Sequence, residues 1–490
     1  MSLSSAINTA QSIFSNTGLQ TAALSKNIAN ASNPDYSRRV GVLTVTASGN
    51  QELFIQRTQS DGLLRLNLNS VSKAEAQTTL QEKLETIKSF LGGNDYETSP
   101  STYIAELRDQ LQAYATKPGE ETLASGVVST AIDAANSLNS VSNSIQNLRG
   151  DIDQEIDLKV NELRQLLDQF EVVNNRIKSG TQLERDVNNE LDVRDGLLKQ
   201  ISSIIGVNAI TRPNNDMMLY TSDGITLFET SPRTIRFETQ PIYSAGTTGN
   251  QLTIDGVPID RGQDGNTSAK GSLAALLQIR DDVIPTYQSQ LDEIARGLIT
   301  MFAEHDHSGG GLDDQPGLFS WQGFTAGDPI PPASTVVPGL ANIIVVNPAV
   351  VKSLGGSPTL LRDGGINGAA YVANSAGNAG FSDLLDEYVK QYDIEQTFDT
   401  NASIDATATI GSYSTASVGW LEQLVRESKN AKETKDANLT RSTEALSNKT
   451  GVNLDEELAL LLDLEQSYKA STKIVMAVDE MLQSLLAMAR

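Results

Sequence analysis

The stretch Asn27-Ile28-Ala29-Asn30-Ala31-Ser32-Asn33-Pro34-Asp35-Tyr36-Ser37-Arg38-Arg39 decides how this chain is read. A helix entering it stops near Asn30, because Asn, Ser and Asn33-Pro34 favour a turn and the residue before proline avoids the helical conformation. The segment reads as a helix-to-strand connection on the surface. Upstream, Leu3, Ile7, Ala10, Phe14, Thr17, Thr21, Leu24 and Ile28 recur in alternating steps of four and three. That spacing puts them on one helix face, as a heptad seam with small or polar residues in its middle. Nothing nearby in sequence offers the seam a globular partner.

The far end of the chain supplies a match. Asn453 opens a capping signature, with Glu456 three residues on and Asp455 and Glu457 in the same first turn. Leu454, Leu458 and Leu461 follow on one face, then Ile474, Val478, Met481, Leu485 and Met488 in four–three alternation. No proline or glycine interrupts Leu454 to Arg490, so a continuous helix there runs about 55 Å at 1.5 Å per residue. The two end seams are complementary and are expected to pair. Because this layout gives them little else to pack on, they are expected to be loosely ordered alone and to order on assembly.

Between them lie further helical stripes. Leu80, Leu84, Ile87 and Leu91 are closed by Gly92-Gly93. Ser99 is the N-cap of the next helix, with Pro100 at its first position, and Ile104, Leu107, Leu111 and Tyr114 carry it to Lys117-Pro118-Gly119. Leu138, Val141, Ile145 and Leu148 form a third run. Leu163, Leu166, Phe170, Val173 and Ile177 form a fourth, stopped at Gly180. After Gly206 the pattern changes to short runs around Asp223-Gly224 and Asp255-Gly256, which are hairpin signals. Helix returns from Ser268. Residues 306–341 hold seven glycines and five prolines and read as loop, with one strand within Asn342 to Leu354.

Composition removes most chemistry. Sixty-one acidic against 37 basic residues, a formal charge of −24, disfavours binding to nucleic-acid phosphates or anionic lipid. Zero cysteine excludes disulfides, thiol catalysis and Cys–zinc sites, and two histidines leave little acid–base chemistry near neutral pH. Met1 to Ser25 carries no charge, and 13 of those residues are Ser, Thr, Asn or Gln, unlike a secretory signal or a membrane span. His305-Asp306-His307, with Asp313 and Asp314 near, is the one place where metal chemistry could start, but it abuts the flexible run Gly309 to Gly311. Asp151-x-Asp153-x-Glu155-x-Asp157 with Glu162 imitates a calcium loop, yet Ile156 stands where glycine is needed, and it reads as a solvated helix start. No catalytic residue, cofactor or metal site is expected.

The opening segment, with Pro34-Asp35-Tyr36-Ser37-Arg38 as its tail, resembles the signature of the axial proteins of the bacterial flagellum, and most of all the hook-associated protein 1 (FlgK) family. Four further segments are similar to that family in the same order. They are Arg57 with Asp61 and Leu64; Leu191-Asp192-Val193-Arg194-Asp195-Gly196-Leu197-Leu198; Gly271 to Asp282 with Arg280-Asp281; and Gly451-Val452-Asn453-Leu454-Asp455-Glu456-Glu457 followed by Tyr468-Lys469-Ala470-Ser471. Asp35 departs from the family's glycine, so the turn there must avoid positive φ or accept strain.

The resemblance implies a structural junction subunit. Copies of this chain would form a ring between the hook protein and a second junction protein, hook-associated protein 3. The subunit would leave the cell through the flagellar type III route, its C-terminal helix held by an export chaperone, and would sit extracellularly without membrane insertion or nucleic acid. The expected fold is mainly α with an inserted β-rich domain, an α+β multidomain chain. Residues 1–45 with 452–490 would form a terminal coiled coil. Residues 46–206 with 268–310 and 370–451 would form a helical bundle, 207–267 the β-rich insertion, and 311–369 an irregular segment. Assembly contacts are expected at Leu3, Ile7, Phe14, Leu24, Ile28, Asn30, Tyr36, Leu458, Leu461, Ile474, Val478, Met481 and Leu485. The alternatives are another secreted coiled-coil or adhesin-type protein, or a metal-dependent enzyme around His305 and His307.

Overall fold

The structure, a computed structural model, describes residues 3–45 and 51–488, leaving aside the side chains of residues 3–6, 9, 45, 51, 52, 485 and 486. In chain order, α1 (Leu3–Ala29) leads to the hairpin β1 (Arg39–Val45) and β2 (Gln51–Arg57). Helices α2 (Asp61–Ser89), α3 (Pro100–Thr116), α4 (Glu121–Gln182) and α5 (Asn188–Ile204) follow. Strands β3 (Val207–Thr211), β4 (Met217–Thr221), β5 (Thr226–Phe228), β6 (Ile235–Arg236), β7 (Thr253–Ile254) and β8 (Val257–Pro258) come next. Helices α6 (Ser272–Gln278) and α7 (Ile284–Met301) precede an irregular stretch with β9 (Phe319–Trp321), α8 (Leu340–Ile343), β10 (Ile344–Val346) and α9 (Leu360–Asp363). The chain then runs through α10 (Asp383–Gln391), β11 (Gln396–Thr397), β12 (Thr407–Ala408), α11 (Ile410–Thr450) and α12 (Leu454–Met488). The class is α+β multidomain, dominated by long helices with small antiparallel sheets.

The chain forms two compact units. The first comprises Met1–Ala74, Glu162–Thr234 and Thr434–Arg490; the second comprises Glu75–Asn161 and Ile235–Glu433. In the first unit α1 packs along α12. The β3-β4-β5 sheet rests on the later part of α4, where Phe228 meets Phe170 edge-on at 5.1 Å. Buried Asn174 of α4 ties this sheet to α5: its amide donates to Asp216 Oδ1 at 2.8 Å and accepts from Arg194 Nη1 at 3.0 Å and Met217 N at 3.1 Å.

The second unit buries α7 almost wholly. Its neighbours include an aromatic cluster, with Phe302 against Phe319 at 5.4 Å and Tyr388 at 5.1 Å. Arg296 is held by Glu293, three residues back on α7, through contacts of 2.9 and 3.0 Å, with both side chains buried. A π turn at Ile279–Val283 between α6 and α7 turns Arg280 inward. There its guanidinium meets Asp153 at 2.6 Å, and Tyr243 donates to the same carboxylate at 2.7 Å. Buried charges persist where they are paired and hydrogen-bonded.

Several local expectations meet the structure directly. Ser99 caps α3 with Pro100 in its first turn, and Gly92, three residues past the end of α2, lies in the left-handed region at φ 91°. Asp255 and Gly256, both at positive φ, join β7 to β8. Asp35 is not among the residues with positive φ, so its turn is built without strain there.

Others are corrected. The third and fourth helical runs are one 62-residue helix, α4. The buried series continues through Leu148, Ile152, Ile156, Val160 and Leu163 and outweighs the weak helix former Gly150. Asp151 to Glu162 is therefore mid-helix rather than a solvated start, and Asp153 is buried in its ion pair. The stretch 207–267 forms two separate sheets, β3-β4-β5 and β6-β7-β8, one in each compact unit. The strands of the second are two residues long, too short to enclose a core of their own.

Buried Asp292 of α7 holds the start of α8, accepting from Gly339 N at 2.9 Å and Ala341 N at 2.8 Å. Burial raises its carboxyl to about 6, with those N–H donors acting in the opposite direction. A carboxyl whose folded pKa lies above its ordinary value costs stability while ionised, and the cost is relieved as pH falls through the folded value. Between pH 7.5 and pH 5, wild type should gain about 1 kcal/mol relative to Asp292→Asn in urea unfolding. A difference independent of pH would contradict this assignment.

Candidate functional site

The opening motif builds a polar hub within the first unit. Asn27, in the last turn of α1, is buried, and its amide makes four hydrogen bonds. Nδ2 donates to Arg39 O and to Glu457 Oε2, both at 2.9 Å. Oδ1 accepts from the Tyr36 hydroxyl and from Arg39 N, both at 2.8 Å. A carboxamide has two donors and two main acceptor sites, so no capacity is left over. Asn30 instead turns back on its own helix, donating to Lys26 O at 2.9 Å. That bond caps the C-terminus of α1 and is exposed.

Around Asn27 the charges alternate. Arg38 Nε donates to Glu457 Oε1 at 2.5 Å, and its Nη1 lies 3.3 Å from Glu456. Its backbone N–H donates to Thr450 O at 2.7 Å, tying the start of β1 to the end of α11. Arg39 and Arg57 stand directly opposite each other across the hairpin, a pairing of like charges that destabilises a sheet. Asp192 of α5 offsets it by accepting from both, at 2.5 Å from Arg39 and 3.1 Å from Arg57. Arg57 also meets Asp195 at 2.7 Å. Burial raises the Asp195 carboxyl above its usual range, while the Arg57 charge acts against that rise. The Tyr36 hydroxyl is raised too, mainly by burial, and the Arg39 guanidinium lies 4.6 Å from its ring centre.

Four segments read separately in the sequence thus meet at one place: the Asn27 turn, Arg57, the α5 segment with Asp192 and Asp195, and the capped start of α12. Beside them lies a cleft of about 310 Å³, lined by residues including Asn33, Tyr36, Arg57, Asp195, Ser447 and Val452.

From the hub, α1 and α12 run antiparallel: Asn27 faces Glu457, and Phe14 meets Tyr468 edge-on at 5.1 Å. Among the described side chains of α12 the buried ones are Glu457, Leu464, Ser471 and Val478, one every seven; on α1 Ala10, Thr17 and Leu24 keep the same period. Of the residues expected at the contact, Leu24 and Val478 are buried, and Phe14, Ile28, Asn30, Tyr36 and Leu461 are half-buried. Ile7, Leu458, Ile474 and Met481 are 40 to 50% exposed. The side chains of Leu3 and Leu485 lie outside the described residues. The face of α12 turned to α1 is therefore offset from the four–three stripe read in the sequence. Glu457 has to reach Asn27 and Arg38, and that requirement sets the rotation of the helix. Glu457, Arg38, Arg39, Arg57, Asp192 and Asp195 were missing from the expected contact set. Their signal in the sequence was the recurrence of charged residues inside the quoted motifs.

Residues 84–319 match the family described as the flagellar hook-associated protein FlgK helical domain, and residues 445–488 match the flagellar basal body rod FlgEFG protein C-terminal family. The chain belongs to the FlgK family of flagellar hook-associated proteins. It is thus a structural component of the bacterial flagellum. In fold it is similar to the flagellar hook junction protein FlgK from Burkholderia pseudomallei, at 12% identity and a TM-score of 0.57, over 79% of this chain and 99% of that one. No curated protein matches it by sequence. The second family match coincides with α12 and the end of α11, the elements that Glu457 and Thr450 join to the hub.

The histidines of this FlgK-family chain lie in the second unit. His305 Nδ1 is 2.8 Å from Asp314 and its Nε2 is 4.0 Å from Glu387, all three partly exposed. His307 stands apart, its backbone N–H donating to Ala370 O. Among the described residues no three His, Asp or Glu side chains are placed to hold one metal ion, and no helix is long and apolar enough to cross a membrane.

Asn27→Ala should lower stability by roughly 2–4 kcal/mol, since it strands a hydroxyl, two backbone groups and a carboxylate in a buried site. Asn30→Ala, losing one exposed bond, should cost under about 1 kcal/mol. Urea unfolding of the two variants checks the asymmetry; equal losses would contradict the hub.

Proposed function

We propose that this chain is a subunit of the ring between flagellar hook and filament, and that copies of it assemble through α1 and α12. The observation that carries the reading is the apolar surface of α12 that flanks its narrow contact with α1. Leu458, Ile474, Val475, Met481 and Leu482 are all exposed there, although the helix already has a partner. Exposed apolar residues concentrated on one element mark an interaction surface. Contacts between unlike surfaces of successive copies generate rings or helical arrays.

On this reading the outer neighbours are the hook protein on one side and hook-associated protein 3 on the other. An export chaperone covers the apolar side of α12 before secretion. The chain travels through the flagellar type III route to the outside of the cell, and the lack of cysteine suits passage as an unfolded chain. The acidic excess serves solubility of the parts that face solvent.

Val478 is buried in the α1–α12 contact, so an aspartate there disturbs the pair itself, whereas Ile474 and Met481 offer a cleaner test. Ile474→Asp and Met481→Asp should leave the circular dichroism and unfolding midpoint of the purified chain unchanged. In cells carrying only the variant, hooks should persist while flagellin is shed unpolymerised. Normal swimming would overturn the assembly role of this face.

A further inference from the structure

The second unit holds a cavity of about 330 Å³ between the end of α7, the segment that follows it, and α10. Its floor is apolar, with Met301, Ala303 and Leu384 buried. Two carboxylates stand at its rim on either side of one imidazole: Asp314 meets His305 Nδ1 at 2.8 Å, and Glu387 lies 4.0 Å from Nε2. Both are about half exposed, and among the described residues no lysine or arginine pairs with either. The surroundings are acidic. Residues 300–316 and 383–393 carry four acidic side chains each, and their one lysine or arginine is Lys390. Arg108, which reaches this region from α3, is taken up by Asp393. A second observation points into the same cavity. Tyr388 of α10 lines it and is 2% exposed, yet its hydroxyl has no hydrogen-bond partner among the described residues. Burial, then the charges of Glu304 and Glu387, raise that hydroxyl above its ordinary range and keep it protonated. A buried hydroxyl without a partner carries a desolvation cost, which a donor entering the cavity relieves.

We propose that this cavity binds an alkylammonium group, its head against Asp314, Glu387 and the Tyr388 hydroxyl and its methylene stem on Met301, Ala303 and Leu384. An ammonium has three N–H donors and no acceptor, and those three side chains supply three acceptors. Alkylammonium groups lay the stem along apolar surface and keep the charged head among polar groups. A metal ion fits less well: among the described residues no three His, Asp or Glu side chains are placed to hold one, and a bare ion leaves the apolar floor unused. The same chemistry has two sources, a free small amine or a lysine side chain of a second copy of this chain. The inference is independent of the α12 face and of the junction role.

The test uses the full chain and its Tyr388→Phe and Glu387→Gln variants. Thermal midpoints are measured in n-butylammonium, tetramethylammonium and sodium chloride at one ionic strength, and self-association by sedimentation velocity. Tetramethylammonium carries the charge without an N–H donor. A wild-type midpoint about 1 °C or more higher in n-butylammonium than in the other two salts, with the difference lost in both variants, supports a free amine. No such rise, but self-association that both variants and added salt abolish, supports the lysine of a second copy. A rise that Tyr388→Phe retains, or one equal in the two ammonium salts, is diffuse attraction to an acidic surface and overturns the proposal. Identical behaviour of all three proteins in both measurements overturns it too. Tyr388→Phe removes one oxygen and keeps the ring that packs on Phe302 at 5.1 Å. Should it still lower the midpoint in sodium chloride, half-exposed Glu387→Gln and the contrast between the two ammonium salts carry the test.

Discussion

The side-chain amide of Asn27 is the constraint on which the first unit depends. It is buried, it makes four hydrogen bonds, and its partners come from three places in the chain: the turn after α1, the first residue of β1, and Glu457 near the start of α12. A buried carboxamide with all its capacity used is compatible with one arrangement of its neighbours, because any group left unpaired pays its desolvation in full. The arginines beside it carry the constraint outward. Arg38 reaches the α12 carboxylates, while Arg39 and Arg57 share Asp192 on α5.

This constraint also decides which side of α12 faces α1. With Glu457 fixed at the hub, the helix buries the residues seven apart from it, Leu464, Ser471 and Val478, and none of these three is large and aromatic. The contact is narrow, and the leucines, isoleucine and methionines to either side stay outside it. A polar anchor thus spends the helix's inward face on orientation and leaves most of its apolar surface for other partners. Under the proposed junction role, the monomer keeps its end helices paired and in register while holding back the surface that assembles. That differs from the expectation of loosely ordered ends, which assumed that the whole four–three stripe lacked a partner.

Much of the local structure was legible in the sequence, because it rests on short-range rules. The Ser99 cap, the left-handed Gly92, the Asp255-Gly256 turn and the Asn453 cap of α12 each depend on residues within a few positions of one another. The pairing of the chain's two end helices was also legible, from their matching heptads. What was not legible depends on contacts across the chain. Nothing near Asp153 in sequence says that it pairs with Arg280 inside a π turn 127 residues away, so the acidic run looked like a solvated helix start. The runs Leu138–Leu148 and Leu163–Ile177 read as two helices because the buried residues that join them, Ile152, Ile156 and Val160, stand among charged ones. At the hub, the motif residues were visible, but the rotation they impose on α12 was not. It follows from Glu457, a charged residue that pattern reading assigns to solvent.

The central claim is that the hub sets the rotation of α12 on α1. Because the chain has no cysteine, single cysteines report burial without background. The direct measurement is the rate of thiol labelling in the purified monomer for Leu464→Cys, Ser471→Cys and Val478→Cys against Leu458→Cys, Ile474→Cys and Met481→Cys. The account predicts slow labelling at the first three and fast labelling at the last three. Equal rates along α12, or protection at 458, 474 and 481 instead, would contradict it.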